Sequence, residues 1–396
     1  MIPLLLLLLA VPSAHAARGQ GQPGAEARAL MRKGIAAYEG ARFDDCVELL
    51  GQAIELHPGW KTASGFRAMC RWTAGEARAA QEDARVASTL KPNSPESFAA
   101  RGFADFVLKR LAAAEEDFRG AVELGPKYPL GHFGLGSVLS QRGRPKDALP
   151  HLDEAVSLAP SAAVFRVVRG TVRDKLKDFR GAVYDYDAVL KSAPAFDWAY
   201  YYRGRDRREL KQFAKAAEDL TAFLQRNPDH EDALYLRGNV LFQMGDFRGA
   251  IKDLDRVVVL NPRHGLAYAN RGVARGQIGE RGAAVGDLER AKALTPSKAD
   301  QIDAQIRRLR AAPQEDAGSE GPSGVAADAL LPGERVQEPD QGLAPPGGKR
   351  GTAASRAADA SREASEPASE PPPRRPAELP EDSSPAQPAD EAITIQ

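Results

Sequence analysis

Small and apolar residues recur along this chain in one fixed frame. Prolines stand at 58, 92, 126, 160, 194, 228, 262 and 296, each at the same interval from the last, and eight in register are not coincidence. With each proline counted as position 32 of a unit, position eight reads Gly34, Ala68, Gly102, Gly136, Gly170, Gly204, Gly238 and Gly272. Position twenty reads Cys46, Ala80, Ala114, Ala148, Ala182, Ala216, Ala250 and Ala284. Small residues at these two places let a pair of antiparallel helices approach closely, while Leu50, Phe118, Tyr186 and Leu254 fill the space between them. The proline ends each second helix. Eight helical hairpins are therefore predicted over 27–298. Ser297 followed by Asp300 reads as a helix N-cap, and Ile302, Ile306 and Leu309 follow at i, i+4, i+7. This predicts a capping helix over 299–311, which covers the apolar face that the last unit would expose.

The pattern resembles the tetratricopeptide repeat, a helix-turn-helix unit with small residues at positions eight, twenty and twenty-seven and proline at thirty-two. The resemblance covers 272 of 396 residues. It implies an all-α, right-handed superhelical solenoid whose first helices line a concave face that holds extended or helical peptides. The family's clamp for a C-terminal carboxylate needs Lys at position five and Asn at position nine, and no repeat here has Lys at position five. Two departures bear on shape. Ser64 replaces the aromatic expected at position four of repeat two, and bulky Val189, Phe223 and Val257 fill position twenty-seven of repeats five, six and seven. Helix spacing is expected to deviate from the regular superhelix in those three repeats.

Charge follows the same frame. Position seven is Arg67, Arg101, Arg169, Arg203, Arg237 and Arg271 in six repeats, and position twenty-three of the same six is Asp83, Asp117, Asp185, Asp219, Asp253 and Asp287. Repeats one and four lack both members, having Lys33 with Leu49 and Leu135 with His151. The pair comes and goes as a unit within one repeat, which points to a partly buried Arg–Asp contact between its two helices; the alternative is two solvated faces.

The ends differ from this block. Residues 1–16 hold one apolar run from Ile2 to Val11, about half of the roughly 20 residues that a membrane-spanning helix requires. Ala14 and Ala16 then supply a small-x-small cleavage pattern, so a signal peptide over 1–16 and export to the periplasm or the exterior are expected, although no Lys or Arg precedes the run. No cysteine near the cut offers a lipid anchor. A linker spans 17–26. The segment 312–396 carries 16 acidic and 7 basic residues, 14 of the chain's 29 prolines and no Phe, Tyr or Trp, which predicts a disordered acidic tail. The chain's 54 cations and 54 anions therefore split into a tail of net −9 and a remainder of net +9.

Catalytic chemistry finds no footing in these residues. Neither a nucleophile–base constellation nor a metal cluster stands out, the glycines of GLG at 134–136 fall inside a repeat helix, and His132 with His151 lacks a third ligand. No cofactor is expected, and export argues against nucleic acid as a partner. Two cysteines exclude a disulfide framework. Cys46 and Cys70 fall on neighbouring helices and could bond if their Cα atoms lie within about 7 Å. Because Cys46 fills the usual small-residue slot, two buried thiols are the expected state.

The reading that follows is a non-enzymatic scaffold that binds a protein or peptide in its concave groove. The alternative is an accessory protein whose basic solenoid holds an anionic polymer of the cell envelope. Trp198, Tyr201, Arg205 and Arg208 stand at i, i+3, i+7, i+10 on one helix face, with Tyr235, Asn239 and Phe242 on the corresponding face of repeat seven and Phe103 and Phe106 on that of repeat three. These aromatics and arginines are expected to be exposed in the groove, ready for apolar and acidic side chains.

Overall fold

The computed structural model describes residues 22–311. The expected signal peptide, residues 17–21 of the linker and the acidic tail lie outside the described residues. The rest forms helical hairpins in the predicted frame, with no strand among the described residues: α1 (Ala25–Glu39) with α2 (Phe43–Leu56), α3 (Lys61–Thr73) with α4 (Ala77–Ala87), and α5 (Pro95–Val107) with α6 (Leu111–Leu124). Then come α7 (Pro129–Gln141) with α8 (Pro145–Leu158), α9 (Ala163–Lys175) with α10 (Phe179–Ser192), and α11 (Asp197–Glu209) with α12 (Phe213–Arg226). The last pairs are α13 (Glu231–Gln243) with α14 (Phe247–Leu260) and α15 (Gly265–Gln277) with α16 (Arg281–Leu294). A 3-10 turn over Pro296–Lys298 runs into the capping helix α17 (Ala299–Ala311). Ser297 thus lies within that turn, and Ile302 and Ile306 are buried as expected.

Every described hairpin but that of repeat two closes by fitting a large side chain against a glycine. A Cβ placed on Gly34, Gly102, Gly136 or Gly170 would stand 2.6–2.9 Å from Leu50, Phe118, Leu152 or Tyr186, closer than carbon atoms pack. Repeat two inverts the arrangement. Ala68 takes the glycine's place, and Ala84 stands where the other repeats carry Leu, Phe or Tyr, so α3 and α4 are joined mainly through alanines. The inner helices there crowd together: a Cβ on Gly65 of α3 would lie 2.3 Å from the Ala100 carbonyl oxygen of α5. This tight turn brings α1 across to α9. Tyr38 meets Phe133 at 6.2 Å between ring centroids, and Phe43 meets Phe196 at 6.2 Å. The irregularity expected in repeats five to seven therefore sits in repeats two to four. Val189, Phe223 and Val257 are fully buried, and the helices from α9 to α16 keep the same neighbours from one repeat to the next. A large position twenty-seven is accommodated there by its own joint.

Cys46 and Cys70 are bonded, with Cα atoms 6.0 Å apart, so the expectation of two thiols is corrected. The small slot that Cys46 occupies on α2 faces α3 at a point where α3 also carries a cysteine, and burial of both side chains holds the sulfurs together.

All six Arg–Asp pairs form inside their own repeats. Each arginine grips its aspartate with Nε and Nη2 at 2.5–3.0 Å, as in Arg169 with the fully buried Asp185 and Arg237 with Asp253. The structure adds a second rung. Arg169, Arg203 and Arg271 also donate to Asp153, Asp187 and Asp255 of the preceding repeat at 2.7–3.0 Å. A second arginine at position eleven, Arg173, Arg207 or Arg275, bonds the same two carboxylates, giving two guanidiniums to two carboxylates. Burial pushes the Asp219 carboxyl up, against the pull of Arg203 and Arg207. Where repeat four lacks the pair, buried Glu115 of α6 accepts from Arg119, Arg142 and Arg144 and ties repeat three to repeat four.

Removing a partner from this network should cost most where no second arginine shares the carboxylate. Among the described residues Arg237 is the only guanidinium on Asp253, because position eleven of its repeat is Leu241, so Arg237→Ala leaves a buried carboxylate unpaired. We expect a loss of about 3–5 kcal/mol, against about 1–2 kcal/mol for Arg207→Ala, where Arg203 still holds Asp219; urea unfolding of both variants checks the order. Cys46→Ala with Cys70→Ala should lower stability by about 3 kcal/mol under non-reducing conditions, and the unreduced wild-type chain should show no titratable thiol in denaturant.

Candidate binding groove

The first helices of the repeats face inward, and the residues predicted to line that face divide into two groups. Phe103 and Phe106 are completely buried. Phe103 packs on Phe66, Phe118 and Phe133 at 4.9–6.4 Å between centroids, so the crowding of α3, α5 and α7 has turned groove positions into core. With Tyr38 and Phe43 closing from the other side, the inner face of repeats one to four is filled by the chain itself. The expectation that these two rings are exposed is overturned.

Repeats five to eight keep the predicted residues on the inner helices but not exposed. Trp198 is half-buried against Phe223 and His230, at 5.1 and 5.4 Å between ring centroids, and Tyr201 is buried beside the same two rings. The bulky position twenty-seven supplied by Phe223 gives these aromatics a partner that a small residue would not. Phe242 is likewise buried, 5.1 Å from Phe247. The expected exposed stripe is thus an aromatic joint within repeats six and seven.

The polar members form a line. Arg205 donates to Asp174 of α9 at 2.9 Å and lies over the Tyr202 ring at 5.1 Å. Its burial works against the charge, but Asp174 and Asp206 outweigh it and hold the guanidinium protonated. Arg208 donates to Glu209. One helix further, Asn270 of α15 donates from Nδ2 both to the Tyr235 hydroxyl at 3.1 Å and to Asn239 Oδ1 at 2.9 Å. Two polar atoms on this line are sealed from solvent without a hydrogen-bond partner: Nε of Arg205, a donor, and Oδ1 of Asn270, an acceptor. The Arg205 Nε stands 3.7 Å from Asp206 Oδ1, beyond hydrogen-bond reach. Asp174 and Asn270 were not singled out from the sequence. The signal was present as polar residues at inner positions of adjacent repeats, beside Arg205 and Asn239, but pairing across repeats is visible only in three dimensions.

The histidines take structural roles. His230 and His264 cap α13 and α15, each Nδ1 accepting a backbone N–H three residues on. His132 and His151 face each other with Nδ1 atoms 3.5 Å apart, and burial, then His132 and Arg119, lower the His151 pKa. Among the described residues no group of three or more His, Cys, Asp or Glu is arranged to hold a metal ion.

Tetratricopeptide-repeat models match residues 104–163 and 207–270. Over those residues the chain matches the tetratricopeptide repeat, and the other described hairpins share the same frame. Among solved structures, the APC/C hetero-tetramer Cut9–Hcn1 aligns with a TM-score of 0.56 at 13% identity, over 71% of this chain and 55% of that one. The chain therefore spans about half the length of that neighbour. YrrB, a tetratricopeptide protein with an unusual peptide-binding site, aligns with a TM-score of 0.45 at 22% identity over 49% of this chain and 99% of its own. PilF of Pseudomonas aeruginosa gives 0.47 at 15% identity over 57% and 99%. No curated protein matches the chain. At these identities the likeness concerns the fold, and tetratricopeptide folds generally serve as non-enzymatic scaffolds that bind protein partners.

Because Trp198 completes the aromatic joint, Trp198→Ala should lower stability by about 3 kcal/mol. Chemical denaturation measures it, and a loss below about 1 kcal/mol would show the ring to be available as a groove residue instead.

Proposed function

We propose that this tetratricopeptide chain is a non-enzymatic scaffold that holds an extended protein segment along the inner helices of repeats five to eight. The observation that carries the reading is the run of polar side chains on successive inner helices, Arg205, Arg208, Tyr235, Asn239 and Asn270, with bonds that cross from repeat to repeat. A peptide backbone alternates carbonyl acceptors with N–H donors, which suits a face carrying both guanidinium donors and amide and hydroxyl groups. The inner face of repeats one to four offers no comparable opening, since Tyr38, Phe103 and Phe133 occupy it. No helix among the described residues is long and apolar enough to cross a membrane. With a signal peptide over 1–16, the scaffold would work beyond the cytoplasmic membrane, on protein rather than nucleic acid.

Selection of a random peptide library on the immobilised full chain tests this. Selected peptides should lose at least tenfold in affinity, about 1.4 kcal/mol, for Arg208→Ala with Asn239→Ala, while the melting temperature moves by only about 2 °C. Peptides that bind the double variant with undiminished affinity would remove the site from these helices.

A further inference from the structure

The loop joining the two helices of each hairpin turns through one residue at positive φ. In repeats two, four, seven and eight that residue is Gly75, Gly143, Gly245 and Gly279, at φ 76–82°, where the absence of a Cβ makes the conformation easy. In repeats three, five and six it is Lys109, Lys177 and Lys211, at φ 58–64°. A lysine in the left-handed region is strained relative to glycine, so a side chain has been kept at a place that does not favour one. Lys109 has a visible reason, its ammonium lying 4.6 Å from the centroid of the Trp72 ring. Lys177 and Lys211 are exposed and pair with no carboxylate among the described residues.

Their surroundings share the sign. In repeats three to six the stretches 107–113, 141–147, 175–181 and 209–215 hold ten cations against three anions. The loops at the opposite ends of the same hairpins, 122–128, 156–162, 190–196 and 224–230, hold three against two. Exposed Lys146, Arg180 and Lys215 add unpaired charge beside Lys177 and Lys211. Consecutive loops adjoin, as Lys175 donating to Ser140 and Arg144 bonding Glu115 show, so the charge runs along one edge and not around the stack.

We propose that this edge, in repeats four to six, binds a linear polyanion carrying phosphate-type charges along its backbone. Successive packed helices stand about 8–10 Å apart, so cations one repeat apart are met at any register by a polymer charged every few ångströms. An acidic peptide of sparse carboxylates would have to match the register. The chain's own segment 312–396 is too dilute for the role, with a net charge of only −9 over its whole length. The loop lysines invoked, Lys177 and Lys211, are not among the residues of the inner groove, and neither reading depends on the other.

The test uses long-chain inorganic polyphosphate and the full chain. Binding should be measurable at about 50 mM salt and fall steeply by about 200 mM. Lys177→Gly with Lys211→Gly should weaken it at least tenfold and flatten the log–log salt slope by about 1.4, roughly 0.7 per lost contact. The melting temperature should stay constant or rise, because glycine already serves this turn in four repeats. Arg28→Ala with Lys252→Ala removes the same charge from exposed sites elsewhere and should change affinity less than twofold, as should Arg208→Ala with Asn239→Ala. The proposal falls if polyphosphate fails to bind, if the loop variant binds as wild type, or if the distant variant weakens binding equally. Tighter binding of polyglutamate, with the same dependence on Lys177 and Lys211, would replace the polymer with an acidic polypeptide and overturn it.

Discussion

The volume left between the two helices of a hairpin governs this fold. A glycine at position eight leaves room for one large side chain at position twenty-four, and the close approach of Gly136 to Leu152 or Gly170 to Tyr186 shows that no further atom fits. Such joints transmit geometry without slack, because interiors packed to crystal-like density do not deform smoothly. Seven hairpins obey one rule, and that of repeat two, with Ala68 and Ala84, obeys its inverse. The hairpin of repeat two is lined by alanines, and beside it α3 packs closely on α5.

The close packing of α3, α5 and α7 sets the N-terminal repeats apart from the rest. There α1 reaches α9, the rings of Tyr38, Phe103 and Phe133 meet, and a disulfide fastens α2 to α3. The inner surface there is spent on stability. Beyond them the helices stack regularly, and their inner positions carry side chains whose hydrogen bonds run from repeat to repeat and end on unsatisfied atoms.

Electrostatics reinforces the stacking direction. An arginine that grips its own aspartate and that of the preceding repeat links three helices through one planar fork, a geometry that lysine could not reproduce. Because the carboxylate of the arginine's own repeat is buried, losing its partner costs far more than breaking an exposed pair would. The network does not engage Lys177 and Lys211 of the hairpin loops, which are exposed and pair with no carboxylate among the described residues.

The periodicity of glycine, alanine and proline determined the hairpins, their boundaries and the capping helix, because local packing rules recur with every repeat and leave a mark at fixed positions. Co-occurrence of Arg and Asp within a repeat determined their pairing for the same reason. The binding face was legible only as a stripe of aromatics and arginines, and here tertiary structure decided otherwise. Whether Phe103 lines a groove or fills a core depends on how near α3 and α7 come, which Ala84 and Gly65 set from elsewhere in the chain. Trp198 is claimed by Phe223, the very residue whose bulk had pointed to irregular stacking. The bond between Cys46 and Cys70 rests equally on a distance between helices. Sequence spacing fixes which residues share a helix face, but what that face meets is set by contacts across repeats, and these follow from the accumulated turn of the whole stack.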